Sequence, residues 1–131
     1  DIKGKQYLVT GSKYYAADIG LHYFILGTKQ ADMGHILENI VYLELIRRGY
    51  EVHIGKVGDA EVDFIAIGAE GEEYYQVSQT VLEEQTLKRE LSSLDAIKDH
   101  NPKYLLTMDY TPLTSYNGIK QINVLEWLLK K

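Results

Sequence analysis

Apolar and polar positions along this chain switch between two periods, and the switches mark its elements. Over 33–48, Ile36, Leu37, Ile40, Val41, Leu43, Leu45 and Ile46 spread almost all round a 3.6-residue helix, which predicts a largely buried helix. Asp32 is its expected N-cap and Gly49 its stop. Upstream, Asp18 caps a predicted short helix over 19–26 that ends at Gly27, and residues 1–12 read as an arm or edge strand. After Gly49 the period falls to two. A first strand over 50–54 turns through 55–59 into a second. There Val62, Phe64 and Ala66 face one way and Glu61, Asp63 and Ile65 the other. Gly68 to Gly71 is a turn cluster, and 73–78 a third strand. Helical period returns over 83–100, with Leu87, Leu91, Leu94 and Ile97 on one face. Glu90 falls inside that apolar arc, Lys88 flanks it and Arg89 points away. Asn101-Pro102 ends the helix, and 103–108 is a buried strand, so a right-handed parallel crossover is expected. A loop through Pro112 and Gly118 leads to a last strand at 122–125 and a terminal helix from Glu126.

Composition narrows this picture. At 131 residues the chain is one domain, large enough for a real core. The α/β (α+β) order is helix, three strands, helix, strand, with additions at both ends. No apolar run approaches the roughly 18–20 residues of a membrane span, and nothing resembles a signal peptide. Cys is absent, which removes disulfides, thiol nucleophiles and Cys-based metal sites and suits a cytoplasmic protein. A net charge of −5 argues against a dedicated sequence-independent duplex binder, although metal-dependent phosphate chemistry uses acidic sites. The chain opens at Asp1, and a piece of a longer protein is expected.

Two features carry candidate chemistry. A hairpin of the second and third strands places Asp63 near Gln76, and such an acid–amide pair makes either an oxygen wall for a hard cation or an ordinary solvated sheet face. Glu44 has Arg47 and Arg48 three and four residues on, so a surface ion pair accounts for it. Glu38 has no basic partner on its own helix and apolar neighbours, which calls for a donor, cation or metal from elsewhere, or a structural hydrogen bond. His35 lies one turn from Glu38, but the four His show no paired metal spacing. Neither a Gly-x-Ser-x-Gly elbow nor a Gly-x-x-x-x-Gly-Lys loop is present. Most of the eleven Tyr, including Tyr42, Tyr75 and Tyr104, fall inside predicted elements and read as core or strand residues.

The element order, with an acid in the main helix, Asp63 in the second strand and Gln76-Val-Ser78 in the third, resembles the PD-(D/E)xK nuclease superfamily. A narrower likeness spans most of the chain. Lys13-Tyr-Tyr-Ala-Ala-Asp-Ile-Gly-Leu21, Gly34-His-Ile-Leu-Glu-Asn39, Leu43-Glu-Leu-Ile-Arg-Arg-Gly-Tyr-Glu-Val52, Glu61-Val-Asp-Phe64, Gln76-Val-Ser78 and Leu125-Glu-Trp-Leu-Leu129 carry it. Together these islands look like the nuclease-like domain at the C-terminus of many prokaryotic AAA-type ATPases.

The resemblance implies a restriction-endonuclease-like core and a set of roles. Glu38 is similar to the helix acid that helps hold Mg²⁺ or Mn²⁺, and Asp63 to the Asp that ligates it. Gln76 takes the place of the second acid, and the Val77 carbonyl adds a further oxygen. Ser78 stands where an active nuclease carries its Lys, which polarises the attacking water and offsets transition-state charge. Lys88 and Lys56 are the nearest replacements in sequence. Three functions follow: a degenerate nuclease fold acting as a nucleic-acid-binding or regulatory module beside an upstream ATPase domain, an active metal-dependent phosphodiesterase on DNA or RNA, or a purely structural domain.

Overall fold

The structure, a computed structural model, describes residues 30–112 and 114–130. The expected N-terminal arm and the 19–26 helix lie outside the described residues.

Helix α1, Gln30–Arg47, begins two residues before the expected cap at Asp32. It stops where the sequence says it stops. Gly49, at φ +93°, donates its N–H to the Ile46 carbonyl, and Tyr50 donates to that of Leu45. This is the glycine-dependent Schellman closure that a left-handed residue permits. The helix buries Met33, Leu37, Val41 and Leu45, a stripe at steps of four, while Ile36, Ile40, Leu43 and Ile46 are only half-buried. Its apolar residues therefore surround it as predicted, but one stripe makes the core.

Strands β1 (Glu51–Val57), β2 (Ala60–Gly68) and β3 (Gly71–Val77) form an antiparallel meander. The first turn is tighter than the sequence suggests and uses only Gly58 and Asp59. After helix α2 (Glu84–Asp95), strand β4 (Lys103–Thr107) pairs parallel to β3, as the crossover requires. Helix α2 ends five residues before the expected 100. Ala96 and Ile97 close it with bonds to the Ser92 and Leu94 carbonyls, and Asp99 then accepts from the Asn101 N–H ahead of Pro102.

The expected loop through Pro112 and Gly118 instead contains a hairpin: β5 (Thr114–Tyr116) and β6 (Ile119–Asn123). Its turn residues Asn117 and Gly118 both have positive φ, 51° and 85°. Asn-Gly is a strong two-residue hairpin signal, so the sequence does carry the mark of this extra strand. Helix α3 (Val124–Leu129) follows at once, capped by the Asn123 side chain, which accepts from the Leu125 and Glu126 N–H groups.

The six strands run β1-β2-β3-β4-β6-β5 in one mixed sheet flanked by helices, the expected α/β class. Strand alternation divides the core. Tyr75, Val77 and Leu106 pack with α1 and α3, whereas Tyr74 and Leu105 pack with Leu94 of α2. Tyr75 stacks on Tyr104 at 5.0 Å between ring centroids and meets Trp127 at 5.8 Å, so these tyrosines are core residues.

Candidate active-site cleft at a bulge in β2

The register of β1 on β2 shifts in one place. His53 pairs with Ile65 and Gly55 with Val62, so Asp63 and Phe64 together oppose Ile54. Two residues against one is a β-bulge, and it reverses which side chains face which layer. Ala60 and Val62 pack with the α2 cluster, but beyond the bulge Phe64 and Ala66 pack with α1 and Ile65 takes the α2 side. The expected single face of Val62, Phe64 and Ala66 is thus corrected: all three are buried, in two different layers. Asp63 stands at the switch.

Around Asp63 the β2–β3 ladder changes its donors and acceptors. The last regular partners are Phe64 and Tyr75. Beyond them the Asp63 N–H donates to Gln76 Oε1 at 2.6 Å, and the Val77 N–H donates to Asp63 Oδ2 at 2.8 Å. Each side chain completes a backbone bond that the diverging strands no longer make. Gln76, 6% exposed, also donates from Nε2 to Glu90 Oε1 on α2 at 3.3 Å.

These groups line a cleft of about 940 Å³ that also takes in Glu38 and Asn39 from α1 and Arg89 and Ser93 from α2. Its β1 wall includes His53 and Lys56. The electrostatics are those of an acidic floor. Burial pushes the Asp63 carboxyl up to about 6, the Val77 N–H opposes that rise, and the charges of Glu38 and Glu90 add to it. Glu90 is raised as well, by burial first, with Arg89 opposing.

The sequence-predicted site is brought together in part. Glu38, Asp63 and Gln76 share the cleft, and Glu38 has His35 Nδ1 at 3.9 Å. Ser78 is not among the lining residues; it follows β3 and turns its hydroxyl to the Thr80 carbonyl at 3.1 Å. Lys88 is exposed and paired with Glu84 at 3.4 Å, outside the cleft, whereas Lys56 lines it beside Glu61 at 4.0 Å. Arg89 is largely in solvent, as its place off the apolar arc predicts, and from there it still lines the cleft, with Nε 3.6 Å from Glu90 Oε2. Glu90 is the member of the site that sequence reasoning missed. Its one signal is a carboxylate on the apolar arc of an amphipathic helix, a position that demands a partner.

Among the described residues, no three His, Asp or Glu side chains are gathered closely enough to share one metal ion. Glu38, Asp63 and Glu90 face the cleft with carboxylate oxygens, the donor type a hard cation requires, beside the imidazoles of His35 and His53. Among the described residues Asp63 Oδ1 has no hydrogen-bond partner, while both amide atoms of Gln76 are already engaged.

Over 130 residues, 99% of this chain, the sequence is 43% identical to an uncharacterised protein of Haemophilus influenzae. The chain spans about a third of that relative's length, 32%. No family model matches the chain, and no solved structure does. Among the described residues no helix is long and apolar enough to cross a membrane.

Proposed function

We propose that this is a degenerate PD-(D/E)xK nuclease-like domain, cytoplasmic, serving as a nucleic-acid-binding or regulatory module of a larger ATPase. The observation that carries the reading is the fate of the lysine position. Ser78 is neutral and turned to Thr80, away from a cleft that retains Glu38 and Asp63. Acids without the activating Lys favour binding over turnover. The rim supplies cations for a phosphate backbone, since Lys56 and Arg89 open onto the same cleft, with His53 beside them. A bound Mg²⁺ or Mn²⁺ would neutralise the acidic floor and let a phosphate approach it. Asp63 and Glu38 would hold that ion, and Val77, through its N–H, keeps one Asp63 oxygen fixed. The relative is roughly three times as long as the matched stretch, which leaves room for a further domain beside this one; that the neighbour is an ATPase rests on the sequence resemblance.

A second reading has its own observation: Lys56 and Arg89 both reach the cleft, so a cation from another element is available to an active phosphodiesterase. One experiment separates them. Fluorescence anisotropy with labelled single- and double-stranded DNA and RNA, with and without Mn²⁺, is expected to show Mn²⁺-assisted binding that Asp63→Ala weakens, and intact oligonucleotides on a gel. Cleavage that depends on Asp63 and on Lys56 or Arg89 establishes the enzyme instead. No binding to any oligonucleotide, with no response to Mn²⁺, leaves a structural domain.

A further inference from the structure

We propose that Glu90 is the positioning residue of this cleft: it sets the flip of the Gln76 amide and is the reason an amide, rather than a carboxylate, stands at position 76. The inference rests on the cleft being the functional site. A carboxamide has one accepting end and one donating end. At Gln76 the accepting end meets the Asp63 N–H at 2.6 Å and the donating end meets Glu90 Oε1 at 3.3 Å. The opposite flip would set an NH₂ against an N–H and a carbonyl oxygen against a carboxylate. With Gln76 buried, neither mismatch has water to relieve it.

A carboxylate at 76 would still accept from the Asp63 N–H, but its second oxygen would fall against Glu90 Oε1, with Asp63 a third negative charge in the same cleft. Glu90 itself is only 15% exposed, and its cationic neighbour, Arg89, is largely in solvent. The resembled pattern has an acid at the strand position; here the amide is on the strand and a charge is on the helix. Through this pair α2 reaches across β3 to hold the backbone of the β2 bulge. The Val77 N–H holds Asp63 Oδ2, and Oδ1 is left without a partner among the described residues. Gln76→Glu, the obvious change to rebuild a nuclease site, is therefore self-defeating while Glu90 remains.

A swap cycle tests this on the whole chain. At pH 8, Gln76→Glu is expected to lower Tm by about 5–10 °C, as two apposed buried carboxylates imply. Gln76→Glu/Glu90→Gln, which restores one acid and one amide in opposite order, is expected to regain most of it. A swapped chain no more stable than Gln76→Glu, or unfolded, overturns the proposal. ¹H–¹⁵N spectra supply a readout that packing alone would not move. Glu90→Ala frees the amide flip and shifts both the Gln76 side-chain NH₂ and the distant Asp63 N–H, whereas Glu90→Gln, which keeps an acceptor, preserves both. An Asp63 N–H unmoved by Glu90→Ala refutes the coupling even if Gln76→Glu does not fold. Neither readout uses metal or nucleic acid, so a chain that binds no oligonucleotide leaves this result standing, and the reverse also holds.

Discussion

Two carboxylates in this domain are taken out of water in opposite ways. Glu44 is fully buried, yet it is held by Arg47 at 2.8 and 2.9 Å and by Arg48 at 2.6 Å. Arg48 then donates to the Trp127 and Lys130 carbonyls and stacks on the Trp127 ring at 4.3 Å, so the cluster bolts α1 to α3. The surface ion pair expected for Glu44 is a buried one, because α3 folds over it. Among the described residues no such cation is paired with Asp63. It accepts one backbone N–H, and the charges that act on it are those of two acids, Glu38 and Glu90. A buried carboxylate neutralised by guanidinium is a fastener; one left among like charges stores unfavourable energy that a cation can release.

The largest test of that contrast is Glu44→Ala. It removes the carboxylate that Arg47 and Arg48 share and takes its counter-ion from the mostly buried Arg48 guanidinium, and a loss of about 2–4 kcal/mol is expected after allowing for the water that guanidinium retains. Urea unfolding reads it, and a variant as stable as the parent removes the fastener role.

Asp63→Asn should act in the other direction. With its pKa raised to about 6, the folded Asp63 holds its proton more tightly than the unfolded chain does. Its ionisation costs nothing below the unfolded carboxyl range. The penalty grows as pH rises through that range to about 6 and is constant above it. Discounted for partial exposure, it is about 2 kcal/mol at neutral pH. The substituted amide keeps an oxygen to accept from the Val77 N–H, so the variant is expected to match the parent near pH 4 and exceed it at about pH 7.5. Equal stability at both pH values contradicts the strained site. Under the proposed function, Mn²⁺ raises the parent's Tm and not the variant's.

Glu38→Gln sharpens the picture by a smaller amount. Burial is the main cause of the Asp63 shift and Glu38 a lesser one. Removing that charge is expected to lower the Asp63 midpoint by roughly a few tenths of a pH unit, read by carboxyl ¹³C titration. A fall back to the ordinary carboxyl range would make Glu38 the main cause instead. Smallest of all is Ser78→Lys. As Ser78 lies outside the cleft, stability within about 0.5 kcal/mol of the parent and no new cleavage are expected. Restored Mn²⁺-dependent cleavage would return position 78 to the site.

Much of this protein was legible along the chain. Gly49 ends α1, Gly68 and Gly71 bracket the second hairpin, and the parallel pairing of β3 with β4 follows from a helix between two apolar strands. Local sterics and periodic burial act over a few neighbours, and a sequence displays neighbours. Asn117-Gly118 belongs to the same class of signal. The bulge does not, because an extra residue in β2 exists only relative to the count on β1. Nor does the contrast between Glu44 and Asp63. Both are acids on predicted elements, and what separates them is which groups arrive from distant segments: Trp127 beside Arg48 in one case, Gln76 and the α2 acid Glu90 in the other. Charge cost depends on burial and on the nearest charges: Glu44 finds its counter-charges on its own helix, but tertiary packing sets the burial of both acids and brings Glu90 to Asp63.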